Sequence, residues 1–162
     1  MFCLAVMGGC SSIPKEAITS VSLQQHHFSD LEDLMAKEER LIAVFLHADW
    51  CKFCRNMEQT TLKNKRVINW LNTEYYFISF DGEQKEAVEF NDHVFDYEPR
   101  GRNSGIHELA RALGSMGGEL TFPAFVILNS EYEIVFQYNA FLTAGAMADI
   151  LQKGVASAKN GQ

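Results

Sequence analysis

The sequence predicts an α/β domain, a central mixed β-sheet with helices on both faces, and three observations carry that prediction. Apolar runs of strand length alternate with segments of helical period, in the order strand–helix–strand, then helix, then strand–strand–helix. A Cys-x-x-Cys pair, Cys51 and Cys54, stands where one such strand turns into a helix. At 162 residues the chain has the length of one domain and can bury a proper core.

The elements follow in order. Residues 1–10 form a short apolar stretch that ends in small residues, and Gly8-Gly9-Cys10-Ser11 resembles a bacterial lipobox, whose cysteine is lipidated. The favoured expectation is therefore a lipoprotein signal segment with Cys10 as the lipidation site. No Lys or Arg precedes the apolar part, so an ordinary terminus with an incidental cysteine is the other reading. Residues 11–27 are polar and mixed and are expected to be a tether, with one short strand at Ile18–Leu23 and a solvated His26-His27 pair. The domain is expected over residues 28–158.

Ser29 or Asp30 is expected to cap a helix through Lys37, in which Leu31, Leu34 and Met35 make an apolar stripe. Leu41–His47 reads as a buried strand, and the helix carrying the cysteines follows it. Asn64 caps a second helical piece whose Val67, Ile68 and Leu71 face the core. Tyr75–Phe80 is an aromatic-rich strand closed by the Asp81-Gly82-Glu83 turn. A helix is expected over Lys85–Phe90, then a polar inserted loop over residues 91–104. Ser104 or Asn103 is expected to cap a helix from Ile106 to Leu113, closed by Gly114. Ala124–Leu128 is a buried strand, Asn129–Tyr132 a turn, and Glu133–Tyr138 the antiparallel return. Thr143 caps a last helix carrying Met147, Ile150, Leu151 and Val155. Nothing repeats, and nothing is of low complexity.

The formal net charge is −7 and no basic cluster occurs, which argues against a nucleic-acid partner and against a polybasic membrane patch. No apolar run approaches the roughly 20 residues of a spanning helix.

The cysteine pair carries the chemistry. The first residues of a helix have unsatisfied N–H groups and the positive end of the dipole. A thiolate placed there is stabilised and becomes a usable nucleophile near neutral pH. A second cysteine three residues on lies about one turn away and can resolve a mixed disulfide. Zinc is the competing use of Cys-x-x-Cys, but it needs about four ligands, and no second pair of that kind or His-x-x-x-His is present. Cysteine arithmetic agrees with redox use: with Cys3 removed and Cys10 acylated, only Cys51 and Cys54 remain. His93 and His107 read as surface or packing histidines rather than catalysts.

The apolar strand, Ala48-Asp49-Trp50-Cys51-x-x-Cys54 and the later Thr121-Phe122-Pro123-Ala124-Phe125 together resemble the thioredoxin superfamily. Met57, the polar break Thr60–Asn64 and the helical Val67–Leu71 are similar to the bacterial branch that includes the periplasmic thiol-reductase domain of the transmembrane disulfide reductant conduit. The resemblance covers roughly residues 28–155 and rests on two separated motifs in the right order. It implies the thioredoxin fold, a cis Pro123 lying against the disulfide, and a Phe122 backbone that offers hydrogen bonds to a substrate strand.

Two features depart from the family. The buried aspartate that many thioredoxins carry before the cysteines is replaced by Phe45, leaving Asp81 as a weak candidate for proton transfer. The dipeptide between the cysteines is Lys52-Phe53 rather than Gly-Pro. Lys52 favours the Cys51 thiolate electrostatically, and Phe53 offers an apolar contact.

The sequence thus leads to the expectation of a thiol–disulfide oxidoreductase on the periplasmic side of the cell envelope. Cys51 is the nucleophile at an exposed helix start, Cys54 lies a turn inside and resolves, and Trp50, Lys52, Phe53, Phe122 and Pro123 make the docking rim. No cofactor or metal is expected beyond the Cys51–Cys54 disulfide. The expected partners are disulfide-containing client proteins, an upstream reductant or oxidant protein, and a membrane reached through Cys10. Two alternatives stand beside it: a metal-handling relative using Cys51, Cys54 and His47, and a non-catalytic interaction module.

Overall fold

Parallel and antiparallel strands share one sheet in the computed structural model, which describes residues 21–102 and 104–160. The lipobox, Cys10 and the first part of the tether lie outside the described residues. Among the described residues no helix is long and apolar enough to cross a membrane.

The sheet has four strands: β1 (Leu41–His47), β2 (Tyr75–Asp81), β7 (Ala124–Leu128) and β8 (Ile134–Tyr138), in the spatial order β2-β1-β7-β8. β1 runs parallel to β2, and β7 is antiparallel to both β1 and β8. The parallel pair needs a crossover, which α2 (Lys52–Gln59) and α3 (Lys65–Glu74) supply. Two apolar layers explain the unbroken hydrophobic runs. Ala43, Phe45, Phe77, Phe125 and Ile127 face one cluster with Met57, Leu71, Met147 and Leu151. Their neighbours Ile42, Val44, Leu46, Ile78 and Val126 face the other, with Leu31, Leu109 and Leu113. A period of two sends alternate residues to opposite faces, so a strand covered on both sides reads as continuously apolar.

Helix ends follow their caps. The Asn64 side chain accepts from the Arg66 and Val67 backbone N–H groups, and Thr143 Oγ1 accepts from Ala146 N at the start of α5 (Ala144–Asn160). The first helical segment differs from expectation. A single 3₁₀ turn, Phe28–Asp30, precedes α1 (Leu31–Lys37), and Asp30 Oδ2 accepts from His27 N at 2.9 Å. Asp30 therefore ties down the turn before the helix, because buried Phe28 pulls the chain in early. No regular strand forms in residues 21–23. Instead His26 N donates to Phe77 O at 2.8 Å, so this segment covers part of the outer edge of β2. The His26 ring is half-buried, edge-on to Tyr76 at 5.4 Å, rather than fully solvated.

The largest correction falls between Gly82 and His107. The expected helix over Lys85–Phe90 is absent: residues 84–87 are irregular, with a bend at Glu86, and β3 (Val88–Phe90) follows. The expected loop over 91–104 contains two more short strands. β3 pairs antiparallel with β4 (His93–Phe95) across Asn91 and Asp92, whose φ values of 53° and 58° make the left-handed two-residue turn that hairpins favour. β5 (Tyr97–Pro99) pairs with β6 (Gly105–His107). The next helix, α4 (Glu108–Gly114), starts two residues later than expected and is capped by His107, whose Nδ1 accepts from Leu109 N. Ile106, taken for the start of a helical stripe, lies instead in β6.

Candidate active site

The end of β1 and the start of α2 position the cysteines. Cys51 is the N-cap of α2, with extended backbone at φ −75° and ψ 103°, and Arg55 N donates to Cys51 O to close the first turn. Cys51 and Cys54 form a disulfide with Cα atoms 5.2 Å apart. Cys51 Sγ also accepts from the Cys54 backbone N–H at 3.0 Å. The first sulfur therefore occupies an anion-favouring position at a helix N-terminus, and it is the sulfur that receives a backbone donor.

Exposure is distributed differently from expectation. Cys51 is only 3% exposed and Cys54 1%, so the sequence-based contrast between an outer and an inner cysteine is slight in the oxidised pair. The exposed groups are their neighbours, Trp50 at 62% and Phe53 at 64%. Lys52 is also exposed. The Phe53 ring lies 6.5 Å from that of Phe141, a residue that sequence reasoning did not single out. Behind the pair, both cysteines belong to the buried cluster with Phe45, Met57, Phe125 and Leu142.

Phe122 and Pro123 come from the loop before β7. Their peptide bond is cis, Pro123 is buried, and Phe122 is half-buried with its ring T-shaped to Trp50 at 6.1 Å. Trp50, next to Cys51 in the chain, and Phe122, packed against the cluster that holds both cysteines, are thus brought together, with Phe53 and Phe141 forming a second aromatic pair.

Phe45 is fully buried, and the His47 ring stacks on it at 5.6 Å. His47 is half-buried and belongs to no metal cluster: among the described residues, no three His, Cys, Asp or Glu side chains converge to hold an ion. Asp81 lies opposite His47 in the strand register, but its Oδ1 accepts from Glu83 N at 2.9 Å. The carboxylate is engaged in its own turn, which is the structural role an aspartate at a strand end most often has. The buried polar side chains among the described residues are Thr61 and His107, so no buried carboxylate accompanies Cys54.

Two residues beside Asp81 were read from sequence only as turn formers. Glu83 Oε1 accepts from Trp50 Nε1 at 3.0 Å, and Gly82 N donates to His47 O at 2.8 Å. A parallel β1–β2 register that sets residue 47 beside residue 81 is the signal that would have brought them to notice.

Comparison with known proteins adds the following. The Thioredoxin-like domain family matches residues 28–154. No curated protein matches the chain. Among solved structures, DsbH oxidoreductase is similar at 16% identity and a TM-score of 0.57, over 91% of this chain and 93% of that one. A thioredoxin from Thermus thermophilus is similar at 19% identity and a TM-score of 0.59, over 83% and 88%. The C-terminal domain of DsbD from Neisseria meningitidis, in its reduced form, is similar at 13% identity and a TM-score of 0.50, over 77% and 90%. Likenesses at these identities show the fold.

Proposed function

This chain belongs to the thioredoxin-like domain family, and from that premise we propose that it is a thiol–disulfide oxidoreductase of the cell envelope, reducing or exchanging disulfides in client proteins. The observation that carries the proposal is Cys51 at the N-cap of α2, its sulfur receiving the Cys54 N–H, with exposed aromatic rings beside it. In the reduced pair the same donor and the helix N-terminus favour a Cys51 thiolate.

The reaction is then a pair of exchanges. The Cys51 thiolate attacks one client sulfur; a Cys51–client disulfide forms, the client S–S bond breaks, and the leaving thiolate takes a proton from solvent. Cys54, deprotonated by solvent, attacks Cys51 Sγ; the Cys51–Cys54 disulfide forms and the second client thiolate leaves. Two electrons pass from the pair to the client, and an upstream dithiol protein returns them. No cofactor beyond the pair enters these steps. Trp50, Phe53, Phe122 and Pro123 supply the rim on which a client lies, and Lys52 adds positive charge next to Cys51. Asp81 Oδ1 accepts from the Glu83 N–H, and the proposed exchange gives Asp81 no step of its own.

Trapping tests the roles. Cys54→Ser is expected to accumulate mixed disulfides with client proteins, and Cys51→Ser none, while the parent reduces insulin in the presence of a dithiol. Equal trapping by both variants would show that the attacking sulfur is misassigned. The envelope location rests on the lipobox-like Gly8-Gly9-Cys10-Ser11, which supports a lipid anchor at Cys10. Stable attachment requires more than one acyl chain. The mass of the protein from its native host is expected to carry that lipid, and an unmodified Met1 would end this part of the proposal.

A further inference from the structure

Gly82 sits where three parts of the site meet. Its N–H donates to the carbonyl of His47, the last residue of the strand that leads to the disulfide, at 2.8 Å. Its own carbonyl accepts from His107 N at 2.8 Å, where the inserted segment ends and α4 begins. The space where a side chain would begin is filled by another residue: a Cβ on Gly82 would overlap Cζ and Cε1 of the Phe122 ring and lie 3.3 Å from Ala110 Cβ. The backbone of Gly82 is not in the left-handed region, so the position calls for glycine on grounds of space.

The next residue acts on the other ring. Glu83 Oε1 accepts from Trp50 Nε1 at 3.0 Å, and Asp81 Oδ1 holds the Glu83 N–H at 2.9 Å. Trp50 is 62% exposed, yet its polar edge is tied to a carboxylate. Its ring is therefore held in one orientation, with an apolar face left open to a partner. Two consecutive turn residues thus hold two rings, one next to Cys51 in the chain and the other packed against the cluster that holds both cysteines, and those rings meet edge to face.

We propose that the Asp81–Glu83 turn is a specificity-determining seat: Gly82 sets where Phe122 lies, Glu83 sets where Trp50 lies, and together they select folded protein clients. The proposal rests on the oxidoreductase reading. A protein disulfide is carried in a chain that must lie across both rings, whereas a small disulfide reaches the sulfurs without crossing them. Gly82 and Glu83 are positioning residues and touch no reacting atom. The hydrogen bond from His107 anchors the inserted segment to the same glycine, which gives that segment a mechanical link to the rim.

The experiment uses the full chain with Trp70→Phe, so that Trp50 is the one remaining tryptophan. Gly82→Ala, Glu83→Ala and Glu83→Gln are compared on insulin and on a small aromatic disulfide, and Trp50 emission and its quenching by acrylamide are recorded. Gly82→Ala, by displacing the Phe122 ring, and Glu83→Ala, by releasing the Trp50 indole N–H, are expected to raise the insulin KM about tenfold. Their kcat, and both constants for the small disulfide, are expected to stay within about twofold. Glu83→Ala shifts Trp50 emission and makes it easier to quench, while Glu83→Gln, whose amide oxygen still accepts the indole N–H, restores both emission and KM. An unchanged insulin KM in Glu83→Ala overturns the proposal, as does an equal loss on both substrates, which would mean general damage. If Gly82→Ala fails to fold, Glu83→Ala against Glu83→Gln decides alone. A parent that exchanges with neither substrate overturns the oxidoreductase reading and this proposal together; an active parent with indifferent variants overturns this proposal only.

Discussion

The four-stranded sheet and the inserted segment between Gly82 and His107 are held by different forces. In β1, six consecutive residues from Leu41 to Leu46 are buried, and both faces of the strand are covered by helices. In β3 to β6 each strand has three residues, and Val94 at the centre of β4 is 54% exposed. The insert is tied to the domain at a few points. Phe90 packs on Phe28 and Tyr132, Asp96 N donates to Glu108 Oε2, Glu98 pairs with Arg111, and His107 is buried at its base. The inner part of the sheet, β1, β2 and β7, is thus an apolar solid with β8 largely exposed at its edge, and the insert is an appendage fixed by the packing of Phe90 and by discrete polar links. The disulfide belongs to the first kind of structure, and the seat for its flanking rings lies where the two kinds join.

Substitution in the sheet should break this contrast if it is wrong. Phe125 is fully buried and lies opposite Phe45 in the β1–β7 register, in the cluster that holds both cysteines. Phe125→Ala removes a large side chain and leaves a cavity where neighbours cannot collapse, so it is expected to cost about 3–5 kcal/mol. Urea unfolding measures this, and amide exchange should speed up across all four strands together. A loss below about 1 kcal/mol, with exchange faster only near residue 125, would show that the sheet is no more cooperative than the insert.

His107 sharpens the boundary between the two. Its Nδ1 accepts from Leu109 N at 3.2 Å, which leaves the proton on Nε2 to donate to Glu86 O at 3.1 Å. Replacing it by Ala removes the α4 cap, orphans the buried Leu109 N–H and takes a partner from the carbonyl of exposed Glu86, an expected loss of about 1–3 kcal/mol. His107→Asn keeps a capping oxygen and is expected to recover part of it. Hydrogen exchange should rise over residues 84–107 and the first turn of α4 while β1 and β7 keep their protection. Equal loosening of β1 would place the insert inside the cooperative core.

The same division decides what could be read in advance. The positions of the four sheet strands along the chain, the Asn64 and Thr143 caps and the place of Cys51 at a helix start were legible because burial on two faces and capping chemistry leave strong local patterns. The insert left a weak one. Glu86, Val88 and Glu89 have composition compatible with a helix, and a three-residue strand shows too little alternation to contradict it. The Asn91-Asp92 pair was in fact the hairpin signal, overlooked because the flanking runs are so short. Ile106 and Leu109, three apart, imitated a helical stripe although a strand ends between them. At the site, Glu83 and Phe141 were missed for another reason: their contacts with Trp50 and Phe53 span 33 and 88 residues, and no local rule reports them.

The smallest effect is expected at the insert's outer tie. Glu98 and Arg111 pair across β5 and α4 with their side chains 40% and 35% exposed. Solvent screens a pair in such a position, and two long side chains lose rotamer freedom to make it, so a coupling of about 0.2–1 kcal/mol is expected. A double-mutant cycle with Glu98→Gln and Arg111→Gln isolates it, provided each amide leaves the packing intact. The coupling should shrink as salt is raised, because the charges are within reach of ions. It should also be invisible to insulin exchange, since the tie lies beyond His107 and Gly82 keeps both of its own backbone bonds. If breaking the pair instead raised the insulin KM as Gly82→Ala is expected to, the insert would be transmitting its position to the rim through its whole body rather than through its base. The polar links would then be part of client selection, and the contrast between sheet and appendage would hold for stability but fail for function.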